Sequence, residues 1–435
     1  MVEKKIMTSN NVFIVDGCRT PFLKHRGVPG SFTAADLAHD AGRSLFSRLS
    51  ITPDQLDEVI LGCVMPSPEE VNIARVVALR LGCGKKVPAW TVQRNCASGM
   101  QALDSAFMQI KHGRSNLVLA GGVEAMSHAP VMLKEKMVTL LGEWFKAKDF
   151  LSKVKLLASL RPGDLAPIFS LQKGLTDPIV GLNMGQTAEN LAYRFNISRS
   201  EMDAFSLESH RRLADAIDKD YLEEIVPIYD SKGNVYLEDD GLRRETTIEK
   251  LSTLKPYFDR HFGSVTAGNS AQITDGAALL LLASEEAVKK YKLPVLGKIV
   301  DTAWAGVAPE EMGLGPVHAI VSLLKQRKIK PETIDYWEIN EAFATQVLAC
   351  VKALGNDDYC QEQFNMKKAF VNINSNRLNI DGGGVSIGHP VGASGARIVL
   401  HLLHVLKRTK AKRGVASLCI GGGQGGATLI ERGGN

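Results

Sequence analysis

Four polar residues stand at the ends of predicted helices or strands, and their types could together carry covalent chemistry. The first, Cys96, lies between a short predicted strand at 87–93 and a predicted helix whose apolar residues recur at helical spacing as far as Gly113. A helix N-terminus presents unpaired N–H groups and the positive end of the helix dipole, and both favour the nucleophilic thiolate. A lone cysteine is more often packed and inert, so the neighbouring motifs must decide between the two interpretations.

Three further segments supply a base, a second thiol and an amide. His389 lies in a glycine-dense loop ahead of an apolar helix, where glycines let backbone and ligand approach closely. Cys419 ends a predicted strand that turns through Gly421, and Asn340 follows another predicted strand. Four such residues, each at an element end, are hard to explain as independent accidents, so we interpret them as one site.

Length and composition restrict the class of protein. A chain of 435 residues suits two or three domains, and 45% hydrophobic residues is ordinary for a globular enzyme. The net charge of +5 is mild, and no basic segment with interleaved aromatics suggests a nucleic-acid partner. The seven cysteines include no C-x-x-C pair, which argues against a disulfide framework and a structural metal site. A reducing compartment follows from this pattern.

The N-terminal sequence has no apolar stretch of secretory length. No apolar run approaches the roughly 20 residues needed to span a bilayer. We therefore expect a cytoplasmic protein, with organellar import as the alternative.

Two parts of the chain follow the same order of elements. A helix after 96–99 leads through a basic turn at 111–114 into a strand at 116–120 that ends in glycines. A helix after 392–395 leads through a basic turn at 407–413 into a strand at 414–420 that also ends in glycines. This repetition predicts two similar α/β halves whose loops can meet at one site.

A stretch of different character separates the halves. Residues 127–255 are charged and helix-rich, and Ser198 with Glu201 forms a capping-box pattern. The chain then returns to the first half, with a buried strand predicted at 274–283. The predicted divisions are 1–126 for the first half, 127–255 for the insertion, 256–293 for the return and 294–435 for the second half.

Four sequence blocks resemble the thiolase family and occur in that family's order, within a likeness that covers nearly the whole chain. The resemblance implies an α/β fold of two five-stranded halves in α-β-α-β-α layers, with the insertion as a loop domain that grips coenzyme A (CoA). It also implies a homodimer or homotetramer and no permanently bound cofactor, with CoA as a co-substrate. The blocks are Asn-Cys-Ala-Ser-Gly at 95–99, Asn-Glu-Ala-Phe at 340–343, Gly-His-Pro-Val-Gly-Ala-Ser-Gly at 388–395 and Cys-Ile-Gly-Gly-Gly at 419–423.

The implied reaction cleaves a 3-ketoacyl-CoA with CoA into acetyl-CoA and a shortened acyl-CoA, or runs in reverse as a condensation. Cys96 would be the nucleophile that carries the acyl group, His389 its base and Cys419 the second acid/base. One oxyanion site would combine His389 with a water held by Asn340. The other would pair the backbone N–H groups of Cys96 and Gly421.

The resemblance also implies contacts with CoA, although the chain departs from the family at several positions. Asn183 replaces a histidine common in short-chain thiolases, which weakens an acetoacetyl-CoA-specific assignment. Ala271 receives no serine role, and Glu341 is equally compatible with orienting water or with structure. The implied CoA contacts are Met184, Arg243, Phe258, Ala267, Gly268, Ala342 and Phe343.

The segment 134–161 carries seven basic and three acidic residues with interleaved apolar and aromatic side chains, which predicts one or two basic amphipathic helices. One interpretation is a cover over the substrate tunnel or a neighbouring subunit. The other is docking on a membrane or a partner, because thiolase subunits of fatty-acid oxidation complexes have a long segment here. Those subunits usually carry histidine at the position of Asn340, which weakens the assignment to a complex.

Four rival functions share some of these sequence features. A short-chain acetoacetyl-CoA thiolase and a non-catalytic acyl-CoA or lipid carrier of the same fold stay open. A decarboxylating ketoacyl synthase would normally pair its cysteine with two histidines, whereas Asn340 and Cys419 stand here. The glycines at 421, 423 and 426 match a dinucleotide-binding pattern, but no helix and acidic residue follow at the required spacing.

Overall fold

The structure is a computed structural model that describes residues 11–433. Its first elements alternate strands with helices, as the sequence predicts, although the strand before Cys96 is shorter than the expected 87–93. The helix after Cys96 ends at Lys111, and Gly113 follows with a positive φ of 68°. In chain order these elements are β1 (Val12–Arg19), β2 (Leu23–Lys24), α1 (Ala34–Phe46), β3 (Glu58–Gly62), α2 (Ile73–Arg80), β4 (Ala89–Val92), α3 (Ser98–Lys111) and β5 (Leu117–Ala125).

The insertion is helix-rich, as expected, with two short strand pairs. The predicted capping box is confirmed, since Ser198 and Glu201 hydrogen-bond to each other's backbone N–H at the start of the helix Arg199–Asp218. Its elements are β6 (Val131–Met132), α4 (Glu135–Lys146), α5 (Phe150–Ala158), β7 (Ile168–Phe169), α6 (Ser170–Gly174), α7 (Met184–Arg194), α8 (Arg199–Asp218), β8 (Ile228–Tyr229), β9 (Val235–Tyr236) and α9 (Ile248–Ser252).

The chain then returns to the first half and builds the second. The return strand is buried at all eleven positions, in agreement with its apolar sequence. The remaining elements are β10 (Thr274–Ser284), α10 (Glu285–Tyr291), β11 (Gly297–Gly306), α11 (Gly315–Gln326), β12 (Tyr336–Ile339), α12 (Ala344–Leu354), α13 (Asp357–Phe364), α14 (Gly384–Ile387), α15 (Val391–Thr409), β13 (Arg413–Ile420) and β14 (Gln424–Arg432).

One sheet runs through both halves in the order β12-β13-β14-β11-β1-β10-β5-β3-β4, with β2 paired to β10. The first half contributes five strands in that order, as expected. The second half contributes four among the described residues, one fewer than expected, and a single parallel bridge from Trp337 to Leu378 lies beyond β12. Asparagines at 372, 374 and 376 favour turns and interrupt a further strand there.

Three layers of helices enclose the two parts of the sheet. Helices α3 and α15 pack against each other and against strands of both halves, so they form the central layer. Helices α1 and α2 cover the outer face of the first half, and α11 and α12 cover that of the second. The expected α-β-α-β-α arrangement is confirmed.

The basic segment 134–161 forms two helices, α4 and α5, that pack on each other. No helix among residues 11–433 is long and apolar enough to cross a membrane. The α4–α5 pair leaves many apolar side chains exposed, namely Val138, Leu141, Phe145, Phe150, Leu151, Val154 and Leu157.

Candidate active site

Cys96 lies on the tight turn that connects β4 to α3. Asn95 adopts a left-handed conformation with φ of 43°, and the Ser98 hydroxyl donates to the Asn95 carbonyl at 2.7 Å. The same hydroxyl accepts from the Arg94 N–H at 2.8 Å, which closes the turn. This turn leaves the Cys96 side chain half-buried at the N-terminus of α3.

Burial raises the pKa of the Cys96 thiol, although the backbone N–H groups of Gly421 and Cys96 itself act in the opposite direction. The N–H groups act on the thiol in the expected direction, but burial has the larger effect. Burial destabilises the thiolate more than the nearby N–H groups stabilise it. Cys96 accordingly needs a base to become nucleophilic.

Gly421 brings the second half of the chain to this thiol. The Asn95 amide donates to the Gly421 carbonyl at 2.8 Å and joins two turns that are 326 positions apart in sequence. A side-chain carbon at Gly421 would lie 3.2 Å from the sulfur of Met184, so glycine leaves room for that contact. The two backbone N–H groups predicted to share an oxyanion site both lie at the Cys96 sulfur.

Cys419 lies near Cys96, at the end of β13. Its side chain is 1% exposed. Burial, together with the charges that the thiols of Cys96 and Cys350 would carry, raises the pKa of Cys419 well above its ordinary value. The structure thus brings together two thiols in different environments, one half-buried beside backbone N–H donors and the other enclosed beside neighbouring thiols.

His389 lies just before α15 and is oriented by Ser394. The ring Nδ1 is 2.6 Å from the Ser394 hydroxyl, which itself donates to the Pro390 carbonyl at 3.0 Å. With the hydroxyl donating to Pro390, the arrangement fits the tautomer that carries its proton on Nδ1 and leaves Nε2 as the acceptor. Burial and then the charge of Arg397 lower the pKa of His389 to about 4. The neutral ring can therefore accept a proton at physiological pH.

Asn340 is buried beside the His389 ring. Its Nδ2 lies 3.4 Å from Nδ1 and 3.5 Å from Nε2 of that ring. Its backbone N–H donates to the Ser417 carbonyl at 2.9 Å, so the end of β12 is fixed against β13. The side-chain oxygen of Asn340 has no hydrogen-bond partner among residues 11–433 and is available for a ligand or water.

Glu341, by contrast, is fully engaged with the surrounding protein. Its carboxylate accepts from the Ser209 hydroxyl at 2.6 Å, the Asn379 amide at 2.9 Å and the Val385 N–H at 3.2 Å. These bonds join α8 to the glycine loop that precedes His389. Of the two roles expected for Glu341, this geometry favours the structural one.

The helices that carry Cys96 and His389 meet through glycines. A side-chain carbon at Gly395 would lie 2.6 Å from the Met100 backbone nitrogen, and one at Gly99 would lie 2.8 Å from the Gly392 carbonyl oxygen. Only glycine permits so close an approach of the two backbones. The N-termini of α3 and α15 are consequently held side by side.

The predicted CoA contacts fall into groups around this centre. Met184, the first residue of α7, touches Gly421, and the Phe258 and Phe343 rings stack edge-to-face with centroids 5.9 Å apart. The Ala342 carbonyl accepts from Ala271 at 2.9 Å. Of the remaining three, Gly268 is buried, whereas Ala267 and the side chain of Arg243 are exposed, and Arg243 forms no ion pair with another described residue.

Sequence reasoning missed several residues that shape the site. Ser394 and Asn95 lie inside the motifs that attracted attention, but their hydrogen bonds depend on the fold. Glu124 gave no signal at all. Its buried carboxyl accepts from the N–H groups of Val64 and Met65 at 2.8 and 2.9 Å, and burial raises its pKa to about 7. Within the described residues, no cluster of three or more His, Cys, Asp or Glu side chains could hold a metal ion.

Family patterns match almost the whole chain. The pattern described as thiolase, N-terminal domain, matches residues 12–286, and the thiolase C-terminal domain matches residues 293–432. The chain belongs to the thiolase family. The two thiols, the histidine and the asparagine described above therefore belong to a thiolase fold. The dinucleotide-binding alternative is rejected.

Individual thiolases resemble the chain along nearly its full length. The bovine (Bos taurus) mitochondrial 3-ketoacyl-CoA thiolase is 38% identical over 426 residues, which cover 97% of this chain and 98% of that protein. The crystal structure of the Bacillus anthracis acetyl-CoA acetyltransferase has a TM-score of 0.83 at 38% identity, with 98% of this chain and 99% of that chain covered. The human mitochondrial 3-ketoacyl-CoA thiolase in complex with CoA has a TM-score of 0.83 at 36% identity, with 98% of each chain covered.

Proposed function

We propose that this thiolase is an acetyl-CoA C-acyltransferase that cleaves 3-ketoacyl-CoA with CoA to acetyl-CoA and a shortened acyl-CoA. The observation that carries the proposal is the position of the Cys96 sulfur beside the Gly421 N–H, near the second thiol of Cys419. A carrier protein would need neither two thiols nor a neutral histidine beside an amide. CoA serves as co-substrate.

In the first half-reaction, His389 Nε2 takes the proton of Cys96 and the thiolate attacks the keto carbon of the substrate. The bond between the α and β carbons then breaks, and its electron pair goes to the departing acetyl-CoA as an enolate. Cys419 protonates that carbon. His389, now a donor, and a water held by Asn340 stabilise the enolate oxygen.

In the second half-reaction, the CoA thiol attacks the thioester on Cys96. Before this step His389 passes the proton it took from Cys96 to the Cys419 thiolate, so its ring is neutral again. His389 then takes the proton of the CoA thiol and delivers it to Cys96, which leaves the acyl carbon as a thiolate. The N–H groups of Cys96 and Gly421 stabilise the tetrahedral oxyanion that forms on the acyl carbon. The same groups run the condensation of two acyl-CoA molecules in reverse.

Purified protein with CoA and a series of 3-ketoacyl-CoAs tests this function. We expect acetyl-CoA and a chain shortened by two carbons, with no product from the Cys96→Ala variant. Binding of acyl-CoA without thiolysis at any chain length would support the carrier instead. Turnover restricted to acetoacetyl-CoA would support the short-chain alternative. Asn183 caps the N-terminus of α7, and this contact does not distinguish the two substrate classes.

We propose that the protein forms a homodimer along the free edge of β4, with a homotetramer as the alternative. β4 ends the sheet, and its outer edge pairs with no other strand among the described residues. Such an edge is prone to pair with another chain. Sedimentation velocity of the wild type and of Trp90→Asp measures this: a dimer that the substitution disrupts supports the proposal, and a wild-type monomer contradicts it.

We propose further that the α4–α5 pair docks on an anionic lipid surface. Phe145 and Phe150 are 84% and 82% exposed, and lysines flank them on both helices. Exposed apolar rings with neighbouring cations fit a membrane interface. Few of these side chains are buried against the rest of the chain. This disfavours the alternative in which α4 and α5 cover the substrate tunnel.

Vesicle co-sedimentation separates the possibilities for α4–α5. We expect binding to vesicles of phosphatidylcholine with phosphatidylserine at low salt, and weaker binding at high salt or without the anionic lipid. Replacing Lys146, Lys148, Lys153 and Lys155 by Gln should abolish it and leave thiolysis of acetoacetyl-CoA unchanged. Wild-type protein that stays in the supernatant at low salt overturns lipid docking and leaves a protein partner to be sought.

We propose a cytoplasmic location. All seven cysteines are free in the described structure, which fits a reducing compartment. Fractionation of the native cells with an antibody to the chain tests it, and enrichment in an organelle would contradict it.

A further inference from the structure

Helix α15 carries charged side chains along a face that no solvent reaches. Every residue from 391 to 406 is buried, and this stretch includes Arg397 and His401. A buried charge is costly unless partners compensate it. His401 meets that requirement, since its Nδ1 lies 2.9 Å from Glu224 and its Nε2 lies 3.2 Å from Asp381. Arg397 does not.

Among the described residues, only the Glu338 carboxylate on β12 lies within ion-pair distance of Arg397. Its Nη1 lies 3.5 Å from Glu338 Oε2, and the two side chains are 1% and 2% exposed. None of the three guanidinium nitrogens makes a hydrogen bond to another residue in the part of the chain described. A buried ion pair without hydrogen bonds costs more in desolvation than its attraction returns. The pair therefore contributes little to stability and needs another explanation.

The position of the Arg397–Glu338 pair suggests a role at the active site. Arg397 follows Ser394 by three residues on α15, and Ser394 holds the His389 ring. Glu338 precedes Asn340 by two residues at the end of β12. The pair thus spans the same two elements whose ends bring the His389 ring and the Asn340 amide to 3.4 Å.

Other charges face Arg397 from the surrounding elements, and most already have partners. Arg19 on β1 is paired with Asp239 at 2.6 Å, and Glu224, after α8, with His401. Asp381, before α14, is paired with Arg408 at 2.7 Å, and Glu341 is held by neutral donors. The Arg397 charge is the one that acts on His389, where it adds to burial in lowering the pKa of the ring.

We propose that Arg397, held by Glu338, is a positioning residue that fixes His389 against Asn340 and keeps the ring an acceptor for the Cys96 proton. The inference rests on the thiolase function proposed above. After His389 takes that proton, the fixed cation makes the imidazolium a stronger acid. The proton is therefore passed on readily to the next acceptor.

Four variants test the pair, namely Arg397→Met, Arg397→Lys, Glu338→Gln and the double variant Arg397→Met/Glu338→Gln. The first readout is kcat/KM for thiolysis between pH 3.5 and pH 9, a range that contains the acid limb expected from a His389 pKa of about 4. Arg397→Met should move the acid limb up by at least about 0.5 pH unit, because it removes a nearby like charge from the imidazolium. Arg397→Lys should retain the wild-type profile, and Glu338→Gln should not move the acid limb upward.

The second readout does not need turnover. Titration of the His389 ring by NMR, assigned with His389→Gln, should show the same upward shift of its pKa in Arg397→Met. This separates the inference from the proposed function, since a chain without thiolysis still reports its histidine. The double variant is the control for misfolding of the single variants, because removing both charges leaves no unpaired ion in the core.

An unchanged His389 titration in folded Arg397→Met overturns the inference. So does a pH profile of Arg397→Met that matches the wild type while activity falls only with the folded fraction. A purely structural role predicts that second outcome.

Discussion

Cys96 and Cys419 are two thiols near one another, and their surroundings separate their roles. Cys96 is half-buried beside two N–H donors, whereas Cys419 is enclosed. Acyl exchange between acyl-CoA and CoA needs the nucleophile and its base but not the second thiol, whereas carbon–carbon cleavage also needs a proton for the leaving carbanion. Cys419→Ser should therefore keep isotopic exchange of CoA with acetyl-CoA and lose cleavage. Cys96→Ser should lose both, and equal loss in the two variants would contradict separate roles.

Asn340 should matter to the carbon–carbon step more than to acylation. Its amide lies beside His389, and its oxygen is free to hold a water at the proposed oxyanion site. Removing one oxyanion donor typically costs about 100- to 1000-fold in rate. Asn340→Ala should show that loss in cleavage, with acylation of Cys96 by acetyl-CoA largely intact, while exposed Asn376→Ala serves as the control. A fall below about tenfold would assign Asn340 to structure.

The sequence predicted which residue types would meet, but it could not predict their protonation. The position of Cys96 at a helix N-terminus suggested a thiolate, and burial reverses that direction. The tautomer of His389 depends on Ser394, and the His389 pKa depends on Arg397 eight residues further along a buried helix. These effects arise from burial by distant segments, which local patterns do not contain.

At the level of elements, glycines set the distance between α3 and α15. Gly395→Ala would place a carbon 2.6 Å from the Met100 nitrogen, so the helices must separate. Small displacements of reacting groups can cost about 100-fold in rate. We expect a loss of thiolysis of that order and a lower melting temperature. Gly142→Ala on α4 is the matched control, since its added carbon meets nothing within 4 Å, and it should be neutral or stabilising by about 1 kcal/mol.

If Gly395→Ala retains wild-type rates, the spacing of the two helices is not critical for the site. The contact would then be a matter of packing alone.

His401 gives α15 a pH-dependent contribution to stability. Burial opposes its charge, but Glu224 and Asp381 raise the pKa of His401 to about 10 in the folded protein, against an ordinary value near 6.5. A raised pKa means that the contribution is fully present below about pH 6.5 and is lost as the pH rises through about 10. His401→Gln should therefore destabilise the protein strongly at pH 6 and much less at pH 10. Urea unfolding at both values measures the difference, and an equal loss at both would contradict the ion pair.

Element identities were largely predictable, while their limits and partners were less so. The strand at 336–339 and the repeated helix–strand units were confirmed, because apolar periodicity and glycine punctuation are local signals. A fifth strand in the second half was not found among the described residues, where asparagine-rich turns replace it. The division into four segments stays a prediction.

At the scale of the molecule, a single sheet joins the halves through a short seam. Residues 12–14 of β1 pair with residues 297–299 of β11 in antiparallel register. Partners nearly 300 positions apart give no local signal, so the repeat predicted two halves but not their joined sheet. The roles proposed for Cys96, His389 and Cys419 likewise required both halves to meet.

The same architecture predicts uneven protection from hydrogen exchange. Helix α15 is enclosed by both halves, whereas α4 and α5 contact mainly each other and keep exposed apolar side chains. Exchange in α4 and α5 should be faster by orders of magnitude, since few buried contacts resist local opening. Mass spectrometry of the isolated protein measures this, and comparable protection in both regions would show that the α4–α5 pair is anchored more firmly than its contacts indicate.

The central place of α15 also has a consequence for synthesis on the ribosome. The first half, β1 to β5 with α3, is made early, yet the helix that covers its inner face begins only at Val391. Until that helix emerges, the nascent chain must hold an apolar surface without its cover, and such surfaces are prone to aggregate. Chaperone demand should therefore persist until α15 is translated, and a ribosome that stalls before residue 391 would release a chain whose first half still exposes this apolar surface.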